Sequence, residues 1–110
     1  MEPANSGYNL ARMRYEIILA PEAAQDYKGL NARDRATIRS HLETHLRHEP
    51  RKVSRSRIKR LRGLNRPQYR LRVNEYRVFY DVTKEAVEVL AIVKKSNAAE
   101  WLRREGEPSA

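Results

Sequence analysis

The chain of 110 residues contains no cysteine, which excludes disulfide bonds and thiolate metal sites and favours a reducing compartment. It also lacks an apolar run near the roughly 18 residues of a membrane span, a signal-peptide pattern and internal repeats. These absences predict one small cytoplasmic domain without a membrane partner. We place that domain at residues 14–105, between a flexible N-terminal lead-in at 1–13 and a C-terminal tail at 106–110.

Acidic residues are nearly missing from one part of the chain. Between Arg51 and Arg77 there are eleven basic residues and a single acid, Glu75, so this segment carries +10 whereas the whole chain carries +9. Solvated charged surfaces usually mix both signs. A basic stripe of one sign is typical of proteins that bind polyanions, and the segment therefore predicts nucleic acid as a partner.

The centre of the sequence is a predicted β-hairpin at residues 61–82, where apolar and polar residues alternate with period 2. A two-residue turn at 74–75 would place Arg72 opposite Arg77, with Arg70 diagonal to both. Like charges directly opposed on a sheet face destabilise it, by part of the range of about 0.2–1 kcal/mol for cross-strand pairs. Three guanidinium groups kept together despite this cost indicate an anion site.

The other segments predict an α+β domain in the order β-α-α-β-β-β-α. Its sheet is mainly antiparallel with about four strands, two N-terminal helices cover one face, and the other face is left open to a ligand. The predicted elements follow from periodicity and from helix start and stop signals. They are a strand at 15–20, a helix from Pro21 to about Gly29, a longer helix to about Glu49 stopped by Pro50, a strand near 58–61, a turn at 63–65, a central strand at 86–95 and a short final helix capped by Ser96 or Asn97.

Three histidines, His41, His45 and His48, follow helical spacing on the longer helix. Such a pair at i, i+4 can bind zinc, but no nearby carboxylate or cysteine completes a ligand set. Exposed or hydrogen-bonded helical histidines are the favoured interpretation, so we expect no metal and no other cofactor.

In their order and spacing these segments resemble the RelE/ParE superfamily of bacterial toxins from type II toxin–antitoxin pairs, with the RelE-like branch favoured. The resemblance runs from about Tyr15 to Leu102. It depends on the strand–helix–helix opening, the basic LRG before the hairpin, YRLRV..YRVFYDV and the closing VEVLAIVKKS....W. The superfamily commonly has Gly-Asp at the hairpin turn, where this chain has Asn74-Glu75.

The resemblance implies the activity of the RelE branch. That activity is ribosome-dependent cleavage of messenger RNA, without a metal, through attack of the RNA's own 2′-hydroxyl on the adjacent phosphate, and it inhibits translation. The basic catalytic positions of the family fall on Arg70, Arg72, Arg77 and Lys95. The tyrosine of its final helix falls on Trp101, which cannot carry a proton, and Lys95 replaces the arginine of the best-known pattern.

The residue types fit such chemistry in part. Guanidinium groups match phosphate geometry and keep their charge, so the three arginines are candidates to stabilise a pentavalent phosphorane. Lys95 is the candidate proton carrier, although it could equally form a solvated pair with Lys94. Trp101 either stacks on a nucleobase or closes the core edge beside Leu102.

Further basic positions and the tryptophan are candidates for contact with RNA outside the catalytic set. The basic segment at 51–66 either docks RNA phosphates or receives an acidic segment of the antitoxin. The expected partners are therefore messenger RNA, the ribosome and a cognate antitoxin in a hetero-oligomer. The RNA-binding candidates are Lys59, Arg60, Arg62, Arg66, Lys94 and Trp101.

Two other functions stay open at this point. A ParE-like toxin would inhibit DNA gyrase by binding it, and a non-catalytic relative would only bind nucleic acid. The complete set of hairpin arginines favours the ribonuclease, whereas the missing proton-bearing aromatic group at position 101 favours the gyrase inhibitor.

Overall fold

Three helices and seven strands make up the part of the chain that the computed structural model describes, residues 14–109; the predicted lead-in at 1–13 lies outside it. The predicted α+β architecture is confirmed. No helix among these residues is long and apolar enough to cross a membrane. The elements are β1 (Glu16–Leu19), α1 (Pro21–Lys28), α2 (Ala32–Leu46), β2 (Ile58–Arg60), β3 (Leu64–Arg66), β4 (Tyr69–Val73), β5 (Tyr76–Val82), β6 (Ala86–Lys94), α3 (Lys95–Glu105) and β7 (Glu107–Pro108).

The main sheet has five strands in the order β1-β6-β5-β4-β2. Strand β1 runs parallel to β6, and every other neighbouring pair is antiparallel. The sheet has one strand more than the predicted count of about four. The strand predicted near 58–61 is present as β2, which pairs with β4. Strand β6 is buried between β1 and β5, as its continuous β-branched run predicts.

A small second sheet joins β3 to β7 in an antiparallel pair. The predicted turn at 63–65 is therefore shorter than expected: Gly63 has a φ of +75°, which suits glycine in a turn, and Leu64 already begins a strand. The segment interpreted as a tail at 106–110 includes the two residues of β7. A strand of two residues is too short to show alternation, so the sequence pattern gives no sign of it.

The helix boundaries depend on local hydrogen bonds. Helix α2 begins as predicted, because the side chain of Asn31 accepts a hydrogen bond from the Asp34 N–H at 2.8 Å. It ends at Leu46, earlier than predicted, and the Arg47 carbonyl instead accepts from the Tyr15 N–H at 2.8 Å.

The predicted cap of the final helix at Ser96 or Asn97 is wrong. Helix α3 begins at Lys95, directly after β6, and has no side-chain cap. The Lys95 N–H donates instead to the Glu75 carbonyl at 2.7 Å, so the hairpin turn supplies the acceptor that a capping side chain would provide.

Each face of the sheet carries its own core. Helices α1 and α2 cover the first face, where Ile38, Leu42 and Leu46 are buried on α2, as predicted. Helix α3 covers part of the second face, where Phe79 and Trp101 are buried. The expectation of one fully open face is therefore wrong, because the final helix returns over the sheet. The uncovered part of that face includes β4 and β2, where Arg72 and Lys59 are exposed.

Tyr80 allows a test of how much one buried hydrogen bond contributes to the stability of the first core. Its ring is fully buried and its hydroxyl donates to the Pro50 carbonyl at 2.7 Å, and burial raises the pKa of this hydroxyl. We expect Tyr80→Phe to lower the free energy of unfolding by about 1–3 kcal/mol, because the buried carbonyl loses its donor. Denaturant unfolding measures this change.

Tyr15→Phe is the matched control, because the Tyr15 hydroxyl accepts from Arg51 Nη1 at 3.0 Å in an exposed position. Its effect should stay within about 0.5 kcal/mol. Equal unfolding midpoints for Tyr80→Phe and Tyr15→Phe would contradict the role assigned to the buried hydroxyl.

Candidate functional site

The hairpin brings three arginines together on the second face of the sheet. Arg72 lies directly opposite Arg77, as predicted, and Arg70 lies two residues along β4 from Arg72 on the same face. On β2, Lys59 is the register partner of Arg70. We call this set, Lys59, Arg70, Arg72 and Arg77, the arginine face.

Arg70 is the most unusual member of the arginine face. Burial lowers the pKa of its guanidinium, and the charges of Arg77 and Arg72 lower it further. Its Nε is buried and has no hydrogen-bond partner among the residues that the structure describes. Buried nitrogens of this kind are uncommon in folded proteins, because an unpaired donor keeps its full desolvation cost. An anion bound to the arginine face would supply the opposite charge that offsets this cost.

Arg77 is held in place by the turn beside it. Its side chain is 8% exposed, and Nη1 donates to the carbonyls of Asn74 at 2.9 Å and Tyr76 at 2.8 Å. Asn74 has a φ of 51°, a left-handed conformation that asparagine tolerates. A guanidinium has five N–H groups, so these bonds orient Arg77 and still leave donors for a ligand.

Lys94 and Lys95 lie in a cleft of about 690 Å³ between α2, the hairpin turn and the start of α3. The Lys95 backbone bond to Glu75 fixes this end of α3 against the turn. The cleft adjoins the arginine face through Asn74, which contributes to its lining. Both predicted lysines are therefore near the turn rather than on the arginine face itself.

A second, smaller cleft of about 210 Å³ lies on the other side of the turn. The sequence interpretation did not include this cleft, because helix α2 and the loop before β2 meet only in the folded chain. Asn74 contributes to this cleft as well as to the first, so the turn separates them. The second cleft is lined by His41, Ser56, Arg57, Arg72 and Asn74.

Arg60 and Arg62 are not part of the arginine face. The Arg60 guanidinium lies 5.3 Å from the centre of the Tyr69 ring, and its Nη1 donates to the carbonyls of Leu61 at 3.0 Å and Gln68 at 2.8 Å. Arg62 is exposed in the turn after β2. Of these two candidates for RNA contact, Arg62 is exposed to solvent, whereas Arg60 is held by hydrogen bonds to neighbouring backbone carbonyls.

Arg66 belongs to an acidic cluster at the opposite end of the same sheet face. Its guanidinium lies 3.2 Å from Asp81, 3.3 Å from Glu88 and 3.9 Å from Glu107. Burial raises the pKa of Asp81, although the Gln68 N–H donates to its Oδ1 at 2.7 Å. Arg66 therefore balances carboxylates and holds β7 against the sheet.

Trp101 lies in the core under α3. Its side chain is 5% exposed, its ring stacks on Phe79 with centres 4.9 Å apart and planes 4° apart, and Nε1 donates to Glu22 at 2.7 Å. A nucleobase could stack on this ring only by displacing Phe79. Of the two roles considered for Trp101, we therefore assign the core role and remove the residue from the RNA-binding set.

The three helical histidines do not form a metal site: in residues 14–109, no group of three His, Cys, Asp or Glu side chains could hold an ion. The rings of His41 and His45 lie 5.6 Å apart. Burial lowers the pKa of His45, and the charges of Arg57 and His41 add to this effect.

Comparisons with known proteins agree with this geometry. A family model described as the ParE toxin of the type II toxin–antitoxin system parDE matches residues 17–99. No curated protein matches the chain.

Three solved structures share the fold. The toxin–antitoxin complex RelBE2 from Mycobacterium tuberculosis has a TM-score of 0.61 and 24% identity, covering 76% of this chain and 93% of that chain. The YoeB dimer from Staphylococcus aureus has a TM-score of 0.54 and 21% identity, covering 74% and 95%. The RelB–RelE antitoxin–toxin complex from Methanococcus jannaschii has a TM-score of 0.52 and 16% identity, covering 76% and 96%. The chain therefore belongs to the ParE toxin family within the RelE/ParE superfamily, and it is a toxin of a type II toxin–antitoxin system.

Proposed function

We propose that this toxin is a ribosome-dependent endoribonuclease that cleaves messenger RNA and so inhibits translation in the cytoplasm. The reaction would need no metal, because the nucleophile is the 2′-hydroxyl of the RNA itself. The protein would then supply three things: a held phosphate, stabilisation of the charge that develops on it, and a path for the proton.

The observation that carries the proposal is the buried, unpaired Nε of Arg70 beside two further arginines. Clustering Arg70, Arg72 and Arg77 disfavours the folded state on electrostatic grounds. The same cluster is suited to a phosphate whose negative charge increases in the transition state, because guanidinium donors pair with two oxygens at once. The arginines would therefore bind the transition state more tightly than the substrate, as catalysis requires.

Lys95 is the proton carrier that the sequence offers in this proposal, and its place next to the hairpin turn supports the assignment. Lys59, at the β2 edge of the arginine face, and Lys94, in the larger cleft, extend the positive surface beyond the three arginines. An RNA strand that crosses the arginine face and the turn would meet both lysines. Arg62 remains a candidate for more distant phosphate contact.

A cognate antitoxin is the proposed protein partner. The family is named for a two-component system, and two of the similar structures are complexes of an antitoxin with its toxin. An acidic antitoxin segment would fit the basic segment at 51–66 and would compete with RNA for the same charges. The resting form would then be a toxin–antitoxin hetero-oligomer.

A second candidate function is inhibition of DNA gyrase by binding. The matching family model favours it, because that model describes a ParE toxin. A gyrase inhibitor needs a surface complementary to the enzyme and has no use for a strained guanidinium cluster of its own. The arginine face is therefore the feature that separates the two candidates.

Purified toxin, freed of antitoxin, distinguishes the candidates in two assays. We expect it to cut messenger RNA on translating ribosomes and to leave naked RNA and gyrase supercoiling unaffected. Primer extension should locate the cuts, and analysis of the 3′ end of the upstream fragment should give a 2′,3′-cyclic phosphate, as attack by the 2′-hydroxyl requires. Loss of supercoiling with every message intact would overturn the ribonuclease proposal and support the gyrase inhibitor.

A further inference from the structure

The smaller cleft contains a group that the proposed chemistry does not yet use. Of its five lining side chains, His41 is the one whose residue type readily gains and loses a proton near neutral pH. Arg57 and Arg72 line the same cleft, and Arg72 also belongs to the arginine face. A proton-transferring residue type and two phosphate-binding residue types therefore share one concave surface.

The orientation of the His41 ring follows from one hydrogen bond. Nδ1 lies 2.9 Å from the Thr37 carbonyl oxygen. A carbonyl oxygen only accepts, so Nδ1 carries the proton. In the neutral ring the lone pair is then on Nε2, which makes Nε2 the atom able to accept a proton from a ligand in the cleft.

The other walls of the cleft are also fixed. Ser54 Oγ accepts from the backbone N–H groups of Arg57 and Ile58 at 3.0 Å each, and the Arg72 N–H donates to the Arg57 carbonyl at 2.9 Å. The loop before β2 is thereby attached to β4. The backbone positions of Arg57 and Arg72 relative to each other are consequently fixed by these hydrogen bonds.

The charged and titratable groups that face His41 come from three elements. Arg57 comes from the loop before β2, Arg72 from β4, and His45 from the next turn of α2, with its ring 5.6 Å away. None of these groups is a carboxylate. A phosphodiester entering the cleft would therefore bring the only negative charge, which suits a substrate rather than a structural partner.

We propose that His41 is a catalytic base of this toxin, acting on the 2′-hydroxyl of the nucleotide bound in the smaller cleft. The inference depends on the ribonuclease function proposed above. His41 Nε2 takes the 2′-hydroxyl proton as the 2′-oxygen bonds to phosphorus and the bond from phosphorus to the 5′-oxygen breaks. The leaving 5′-oxygen would lie across Asn74 in the larger cleft, where it takes a proton from the Lys95 ammonium group. Exchange with water then restores both side chains. The products are a 2′,3′-cyclic phosphate and a 5′-hydroxyl.

His41→Asn tests the proposal, because its amide N–H can replace the Nδ1 donor to Thr37 but cannot accept the proton. We expect single-turnover cleavage on ribosomes to fall by about 10²-fold or more at neutral pH, which is typical for loss of a general base. Binding of an RNA with a 2′-deoxy nucleotide at the cleavage site should be unchanged.

His45→Asn, one turn further along α2, is the matched control and should retain the rate of the wild type at neutral pH. Circular dichroism checks folding; should His41→Asn fail to fold, His41→Gln is measured in its place. A wild type that leaves every message intact would overturn the ribonuclease function and the His41 assignment together. An active wild type with an equally active His41 variant, or a slow variant that also loses binding of the 2′-deoxy RNA, would overturn the His41 assignment alone.

Discussion

Arg70→Met should slow RNA cleavage by about 10²–10³-fold, the usual effect of removing one preorganised donor that stabilises a developing anion. The same substitution should leave the protein at least as stable as the wild type. Burial and two neighbouring guanidinium groups lower the pKa of Arg70. The charge on Arg70 therefore lowers the free energy of unfolding at every pH where the side chain is charged in both the folded and the unfolded chain. Methionine keeps much of the side-chain length and removes that charge.

The measurement pairs single-turnover cleavage on ribosomes with thermal unfolding of the free toxin. A fall in rate together with an unchanged or higher melting temperature is the expected result, and it separates a functional arginine from a structural one. Lys84→Met removes an exposed cation from the connection between β5 and β6 and should change neither the cleavage rate nor the melting temperature. A fully active Arg70→Met protein would remove the arginine face from the mechanism.

Trp101→Ala should lower the free energy of unfolding by about 3–5 kcal/mol, a large part of the total stability of a small domain. The indole fills the space between α3 and the sheet, stacks on Phe79 and donates to Glu22. Its removal leaves a cavity under α3 and also loosens the helix that starts at Lys95. Urea unfolding followed by far-ultraviolet circular dichroism measures the change.

Trp101→Phe separates the two roles considered for this side chain. The core role predicts a loss of about 1–2 kcal/mol for the smaller ring, with cleavage by the folded variant close to that of the wild type. Stacking on a nucleobase predicts the reverse, a weaker interaction with RNA and normal stability. Glu22→Gln keeps an acceptor for the indole N–H and should stay within about 1 kcal/mol of the wild type.

The hairpin and its arginine face were accessible from the sequence alone. Alternation with period 2 decides which side chains share a face, and a two-residue turn decides which residues are opposite each other. The partnership of Arg72 with Arg77 follows from these two facts without any tertiary information. The order of the helices and the longer strands was accessible for the same reason, because each of these elements is long enough to show its own period, unlike β3 and β7.

Other features depended on contacts between distant parts of the chain. Trp101 and Glu22 are 79 residues apart, and no local pattern relates them. The pairing of β3 with β7 and the ion pairs of Arg66 are of the same kind. His41 could be placed on a helix from the sequence, but its association with Arg57 and Arg72 arises only when α2 packs beside the hairpin.

The second face of the sheet has opposite charges at its two ends. Along β5, Arg77 lies at one end and Asp81 at the other, roughly 13 Å apart at the rise of a strand. The basic end bears the arginine face, whereas three carboxylates outnumber Arg66 at the acidic end. The face therefore has an electric dipole moment, which exerts a torque on the molecule in the field of a negatively charged strand. That torque turns the basic end towards the strand before the two molecules touch. Dissolved salt at about 0.1 M screens it once they are more than about 10 Å apart.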